Sequence, residues 1–167
     1  MLIIAKKINE LNFSQLMTVY YEGNRENGSV NYPDFPVEEQ ILYAEQDFYS
    51  YLSQEFFRTK GSSYAIWAPD GMYVAALRLE PYKDGLLLEA LETAPAFRNK
   101  GFATALIRAV ISYLSDSGFE KIYSHVIKTN LPSLKVHYHC GFQKIMDYAV
   151  YIDGSVSQKA YTLCFEL

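Results

Sequence analysis

The chain has 167 residues, half of them hydrophobic and a fifth charged, and carries a net charge of −4 at pH 7. That composition excludes a disordered polar chain, and the length fits a single domain over residues 1–167. The acidic balance argues against a nucleic-acid partner, which needs a basic face, and no apolar run reaches the ~18 residues of a membrane-spanning helix. The opening, Met1–Lys7, places its apolar residues ahead of its lysines, the reverse of a secretion signal, so a cytoplasmic protein with no membrane partner is expected. Cys140 and Cys164 form no C-x-x-C pair and have no metal-ligand spacing with the histidines, so buried free thiols and no metal site are expected.

In chain order, Leu2–Lys7 reads as a strand. Asn12, with Gln15 three residues on, resembles a capping box and opens a helix to about Tyr21. Glu22–Phe35 is polar, carries Gly23, Gly28 and Pro33, and reads as a long loop. Pro36 opens a second helix with Glu38 and Glu39 in its first turn and Val37, Ile41, Ala44, Phe48 and Leu52 on one stripe. Three β runs follow, Ser63–Ala68, Met72–Glu80 and Leu86–Thr93, joined by Asp70-Gly71 and Asp84-Gly85, which are strong hairpin signals. A helix is expected from about Gly101 to Ser117, a strand over Lys121–Lys128, a short helix over Ser133–Cys140 and a strand over Gln143–Ile152. Asp153-Gly154 then turns into a last strand, Lys159–Glu166. The order predicts an α/β (α+β) fold: a mixed sheet of about seven strands, antiparallel passing to parallel, flanked by about four helices.

The chemistry is carried by Leu91-Glu92-Thr93-Ala94-Pro95-Ala96-Phe97-Arg98-Asn99-Lys100-Gly101-Phe102-Ala103. A strand ends, a short turn follows, and small residues open a helix. The first N–H groups of a helix have no internal acceptor, and with the dipole they suit a phosphate. No G-x-x-x-x-G-K-[ST] or G-x-G-x-x-G is present.

Arg98, Gly101 and Ala103 match the [Q/R]-x-x-G-x-[G/A] hallmark of the GNAT superfamily of acyl-CoA-dependent N-acetyltransferases, and Asn130, Ser133, Gly141 and Phe142 match its later N-x-x-[A/S]…G-F pattern. The sequence therefore resembles that family over its whole length. The resemblance implies a sheet splayed between strands 4 and 5 with acetyl-CoA in the gap, and acetyl transfer to a primary amine of a small molecule or peptide in a ternary complex. Main-chain groups of Leu91, Glu92 and Thr93 would bond the pantetheine arm and steady the oxyanion. The N–H groups of Asn99, Lys100, Gly101, Phe102, Ala103 and Thr104 would hold the pyrophosphate, with Asn130, Ser133 and His137 beside the cofactor. Asn130 reads equally as a plain N-cap.

The resemblance also places His137 at the family's acid position, where a tyrosine is common; Tyr138 is its neighbour. His125 stands where some members carry a glutamate base, and Glu89 and Glu92 are rival bases. Strand alternation puts Glu89 on one face and Glu92 on the other, so only one is expected to meet the acceptor. The acceptor pocket is expected from the first helices and their loop, around Tyr20, Tyr21, Glu22, Glu26, Tyr32, Asp34 and Phe35. A homodimer is a possible assembly, since many relatives pair through their last strands. Because the acid tyrosine is missing, a non-catalytic acyl-CoA sensor on the same fold is the alternative.

Overall fold

Hydrophobic residues alternate between the two sides of one sheet, and each side acquires its own core. The computed structural model describes residues 1–167. Strands β1 (Leu2–Ala5), β2 (Ser63–Trp67), β3 (Ala75–Tyr82), β4 (Gly85–Thr93), β5 (Lys121–Ile127), β6 (Gln143–Met146) and β9 (Ala160–Glu166) form a seven-stranded sheet in the order β1-β2-β3-β4-β5-β9-β6. Only β4 and β5 are parallel; every other pair is antiparallel. Between β6 and β9 a separate small hairpin joins β7 (Ala149–Val150) to β8 (Val156–Ser157).

On one face lie helices α4 (Phe102–Leu114) and α5 (Leu131–His139). Leu106, Ile107 and Val110 pack there on Leu77, Leu79, Leu88 and Ile122. On the other face lie α1 (Phe13–Val19), α2 (Tyr21–Asn31) and α3 (Val37–Gln54), where Leu16, Leu52 and Phe56 pack on Tyr64, Ile66 and Ala76. Each fully buried side chain of this size contributes about 1.5–3 kcal/mol by leaving water. No helix is long and apolar enough to cross a membrane. Both cysteines are free and buried.

Several expectations need correction. The segment read as a loop is largely the helix α2. Gly28 sits there because α2 crosses α3 closely: a Cβ on it would lie 2.4 Å from the Gln40 carbonyl oxygen. Its glycine thus marks a tight helix contact rather than a turn. Likewise Gly85 lies within β4, opposite Tyr82, and a Cβ on it would fall 2.2 Å from the Lys121 carbonyl oxygen. The turn itself is made by Lys83 and Asp84, with Lys83 at φ +50°. The stretch Gln143–Ile152 is two strands, β6 and β7, because only its first part pairs with β9. The buried face of α4 carries Leu106, Ile107, Val110 and Leu114, while Tyr113 is exposed.

Candidate active site

The parallel pairing of β4 with β5 runs only from Leu86–Ile122 to Leu88–Ser124. Beyond it the strands part, and the β4 edge from Glu89 to Thr93 has no strand beside it. The cause is a bulge. Arg78 pairs with Glu89 and Ala76 with Glu92, so β4 holds one more residue than β3 across this step. Ala90 takes φ +49° there, a left-handed conformation costing about 1–3 kcal/mol for a residue with a Cβ. Tyr20 holds it in place: its hydroxyl donates to the Ala90 carbonyl at 2.7 Å.

The bulge overturns the alternation expected for the two glutamates. Opposite Arg78 and Ala76, Glu89 and Glu92 share one face, the α1–α3 side, whereas Leu91 packs into the α4 core. Burial pushes both carboxyls up; Arg78 opposes this for Glu89 and Arg98 for Glu92.

At the mouth of the gap the chain turns through Pro95–Phe97 into α4. Asn99 and Gly101 both have positive φ, +59° and +82°. The first α4 hydrogen bond from this turn runs from the Ala105 N–H to the Gly101 carbonyl, and the N–H groups of Asn99 to Thr104 have no acceptor in the protein. A Cβ on Gly101 would meet nothing within 4 Å. A cradle of bare amides over open space fits an anionic diphosphate. The groove it lines, with Leu91, Thr93, Asn130 and Ser133, has a volume of about 570 Å³.

The basic side chains of the turn bond within the protein, Arg98 while still bordering the groove. Arg98 Nε donates to the Thr93 carbonyl at 3.2 Å, and its Nη1 lies 2.5 Å from Glu22. Its Nη2 lies 3.8 Å from Glu92. Lys100 donates to the Ala96 carbonyl at 3.0 Å. Asn130 accepts from the Ser133 N–H at 3.1 Å and so caps α5, and the residue also borders the groove.

Deeper in the gap a cavity of about 260 Å³ is bordered by Glu89, Leu91, His125, Asn130, Ser133 and His137. The structure therefore brings the three catalytic candidates to one cavity, in unlike states. Both ring nitrogens of His125 are buried without a partner. Tyr82 and Tyr151 meet its ring edge-on at 5.5 and 5.2 Å. Burial, then Lys83, lower its pKa. His137 is 1% exposed and fully bonded, with Nδ1 2.8 Å from the Ser133 carbonyl and Nε2 3.0 Å from Ser124 Oγ. Burial lowers its pKa as well, against the Ser133 hydrogen bond.

On the α1–α3 side, and sharing the Ala90 wall, lies a cavity of about 370 Å³. Of the residues expected around the acceptor, Tyr20 lines it. Glu22 pairs with Arg98, and Phe35 packs on Tyr43 away from it. Its walls are instead Asn24, Asn27 and Asn31 of α2, Asp47 and Tyr51 of α3, and Arg78 of β3. Two features of the sequence would have found them: asparagines at i, i+3 and i+7, and a lone arginine inside the apolar run Ala75-Ala76-Leu77-Arg78-Leu79.

The fold has known counterparts. PaiA N-acetyltransferase of Thermoplasma acidophilum, solved with coenzyme A, matches at a TM-score of 0.64 and 17% identity, covering 100% of this chain and 99% of its own. The ribosomal-protein-S18-alanine N-acetyltransferase of Escherichia coli matches at 0.60 and 17%, covering 99% and 94%. Spermidine N-acetyltransferase of Vibrio cholerae, solved with CoA and spermine, matches at 0.60 and 16%, covering 99% and 95%. No curated protein sequence matches significantly. The model of the acetyltransferase (GNAT) family matches residues 25–142, and with the splayed sheet and the amide cradle in place, the chain belongs to that family.

Proposed function

We propose that residues 1–167 act as one domain that transfers an acetyl group from acetyl-CoA to a primary amine of a small molecule or peptide, by direct attack in a ternary complex. The observation that carries this is the run of unpartnered amides from Asn99 to Thr104 at the mouth of the β4–β5 gap. Those N–H groups bind the diphosphate, and Leu91, Glu92 and Thr93 offer main-chain groups along the open edge. The co-substrate supplies an activated acyl carbon; the protein's task is to orient the amine and remove its proton. Glu89, negatively charged on the acceptor side, draws the ammonium in. His125, neutral and without a partner, takes the proton. His137 holds the Ser124 and Ser133 ends of the cavity together.

Free-thiol release from acetyl-CoA across an amine panel tests this, with calorimetry of coenzyme A and ADP beside it. Turnover of an amine, and coenzyme A bound more tightly than ADP, are expected. Absence of coenzyme A binding would overturn the proposal.

One observation favours a second reading, an acyl-CoA sensor without turnover. At the family's acid position stands a buried imidazole whose nitrogens are both committed to Ser124 and Ser133. Tight acetyl-CoA binding with no thiol release from any amine would select it.

A further inference from the structure

Arg78 is a largely enclosed cation whose donors are not met. It rises from the middle of β3, and its side chain is 18% accessible. The Tyr51 and Phe56 rings lie 5.1 and 5.8 Å from its guanidinium carbon and fix its plane. A guanidinium has five N–H donors, and buried donors find acceptors in nearly all proteins. Arg78 finds none at hydrogen-bond length. Its Nε is buried with no partner, and the one carboxylate within salt-bridge distance, Glu89, stands 3.6 Å from Nη2.

These idle donors face the cavity on the α1–α3 side. Opposite them α2 turns Asn24, Asn27 and Asn31 to the same space. The one carboxylate in that wall, Asp47, accepts the Tyr32 hydroxyl at 2.6 Å. The cavity thus offers a planar fork of positive charge and a row of amides, a set suited to a carboxylate. Glu89 borders the neighbouring cavity across the shared Ala90 wall, and it is the direct cross-strand partner of Arg78, so a ligand reaching both must carry its cation and its anion only a few bonds apart.

Resting on the transferase reading for the fate of the amine, we propose that Arg78 determines specificity by binding the carboxylate of a zwitterionic acceptor, a short amino acid whose ammonium lies at Glu89. Polyamines are disfavoured, because their second cation would meet the guanidinium.

The test is calorimetry on the full chain with coenzyme A present, using glycine, β-alanine and 4-aminobutyrate, the amide of each, and putrescine. At least one acid binds about tenfold or more tightly than its amide, and putrescine binds more weakly than that acid. Arg78→Gln removes the preference for acid over amide and Arg78→Lys keeps part of it, with coenzyme A binding as the check that each variant has folded. Equal binding of acids and amides by the unaltered protein, or no binding of any acid, overturns the proposal without recourse to a variant. Acid-selective binding with no thiol release sinks the transferase reading and leaves this one standing. Turnover of amines without preference for the acid does the reverse.

Discussion

Ser124 Oγ on β5 and His137 Nε2 on α5 meet at 3.0 Å, while His137 Nδ1 lies 2.8 Å from the Ser133 carbonyl. A carbonyl can only accept, so Nδ1 carries the hydrogen and Nε2 takes the serine's. The imidazole is thereby held neutral, with both nitrogens occupied, between the strand that flanks the gap and the helix that lines the groove.

This arrangement predicts a stability signature. Burial lowers the pKa of His137 from its ordinary 6.5. An unfolded chain then binds a proton more readily than the folded one. The stability that neutral His137 contributes is complete above pH 6.5 and is lost as pH falls through the lowered folded value, by up to about 1.4 kcal/mol per pH unit. His137→Leu removes this slope and, by stranding Ser124, costs about 1–3 kcal/mol near neutrality. Denaturant unfolding from pH 5 to 8 measures both. Loss of the alkaline limb of turnover in the same variant would instead identify His137 as a proton donor.

The amide cradle predicts a separation of binding from stability. Gly101 and Gly118 share φ +82°, and a Cβ on either meets nothing within 4 Å. Alanine at each should cost about 1 kcal/mol through its left-handed backbone alone. Only Gly101→Ala places a methyl group over the open amides, so coenzyme A affinity falls about tenfold or more there and is unchanged in Gly118→Ala. Equal affinities by calorimetry would move the diphosphate away from this turn.

Much of this was legible in the sequence, for identifiable reasons. Strands follow from period two, the Asp-Gly pairs fall at or beside the turns although Lys83 and Asp84 make the second of them, and the α4 entrance follows from Arg98, Gly101 and Ala103. Asn12 and Asn130 were readable as caps because that chemistry is local; each accepts from the N–H three residues on. What stayed hidden depends on neighbours far along the chain. Gly28 signals a turn until Gln40 is seen against it, and Glu89 and Glu92 alternate until a bulge at Ala90, held by the Tyr20 hydroxyl, slips the register. The cavity beside Arg78 could not be seen without α2, which its two glycines disguised as a loop.

Gly28 carries a prediction of its own. A methyl group there would lie 2.4 Å from the Gln40 oxygen and 2.7 Å from its carbonyl carbon, both main-chain atoms. Gly28→Ala must push α2 off α3 and should cost about 1–3 kcal/mol. If the cavity that α2 lines receives the amine, KM for the amine rises while coenzyme A affinity, set by the amides at α4, stays. By contrast Gly23, in the same helix with nothing within 4 Å of an added Cβ, should gain about 0.5–1 kcal/mol as alanine. Thermal unfolding of the two variants should shift in opposite directions.

The pH dependence of turnover distinguishes the two candidate bases. His125 must be neutral to take a proton, and burial together with Lys83 lowers its pKa from 6.5. If His125 is the base, kcat rises with pH along a limb below 6.5 and is level at neutrality; kcat is the quantity to follow because it reports the bound complex rather than the free amine. Removing the charge in Lys83→Met relieves part of the depression, so the limb moves up toward 6.5, a shift that loss of packing alone would not produce. His125→Ala lowers kcat about 100–10,000-fold and abolishes the limb. Glu89 behaves differently: burial raises its pKa and Arg78 opposes the rise, so removing the positive charge in Arg78→Gln would carry a Glu89 limb upward. A limb that follows Arg78→Gln and ignores Lys83→Met assigns the proton to Glu89 and leaves His125 as a wall of the cavity.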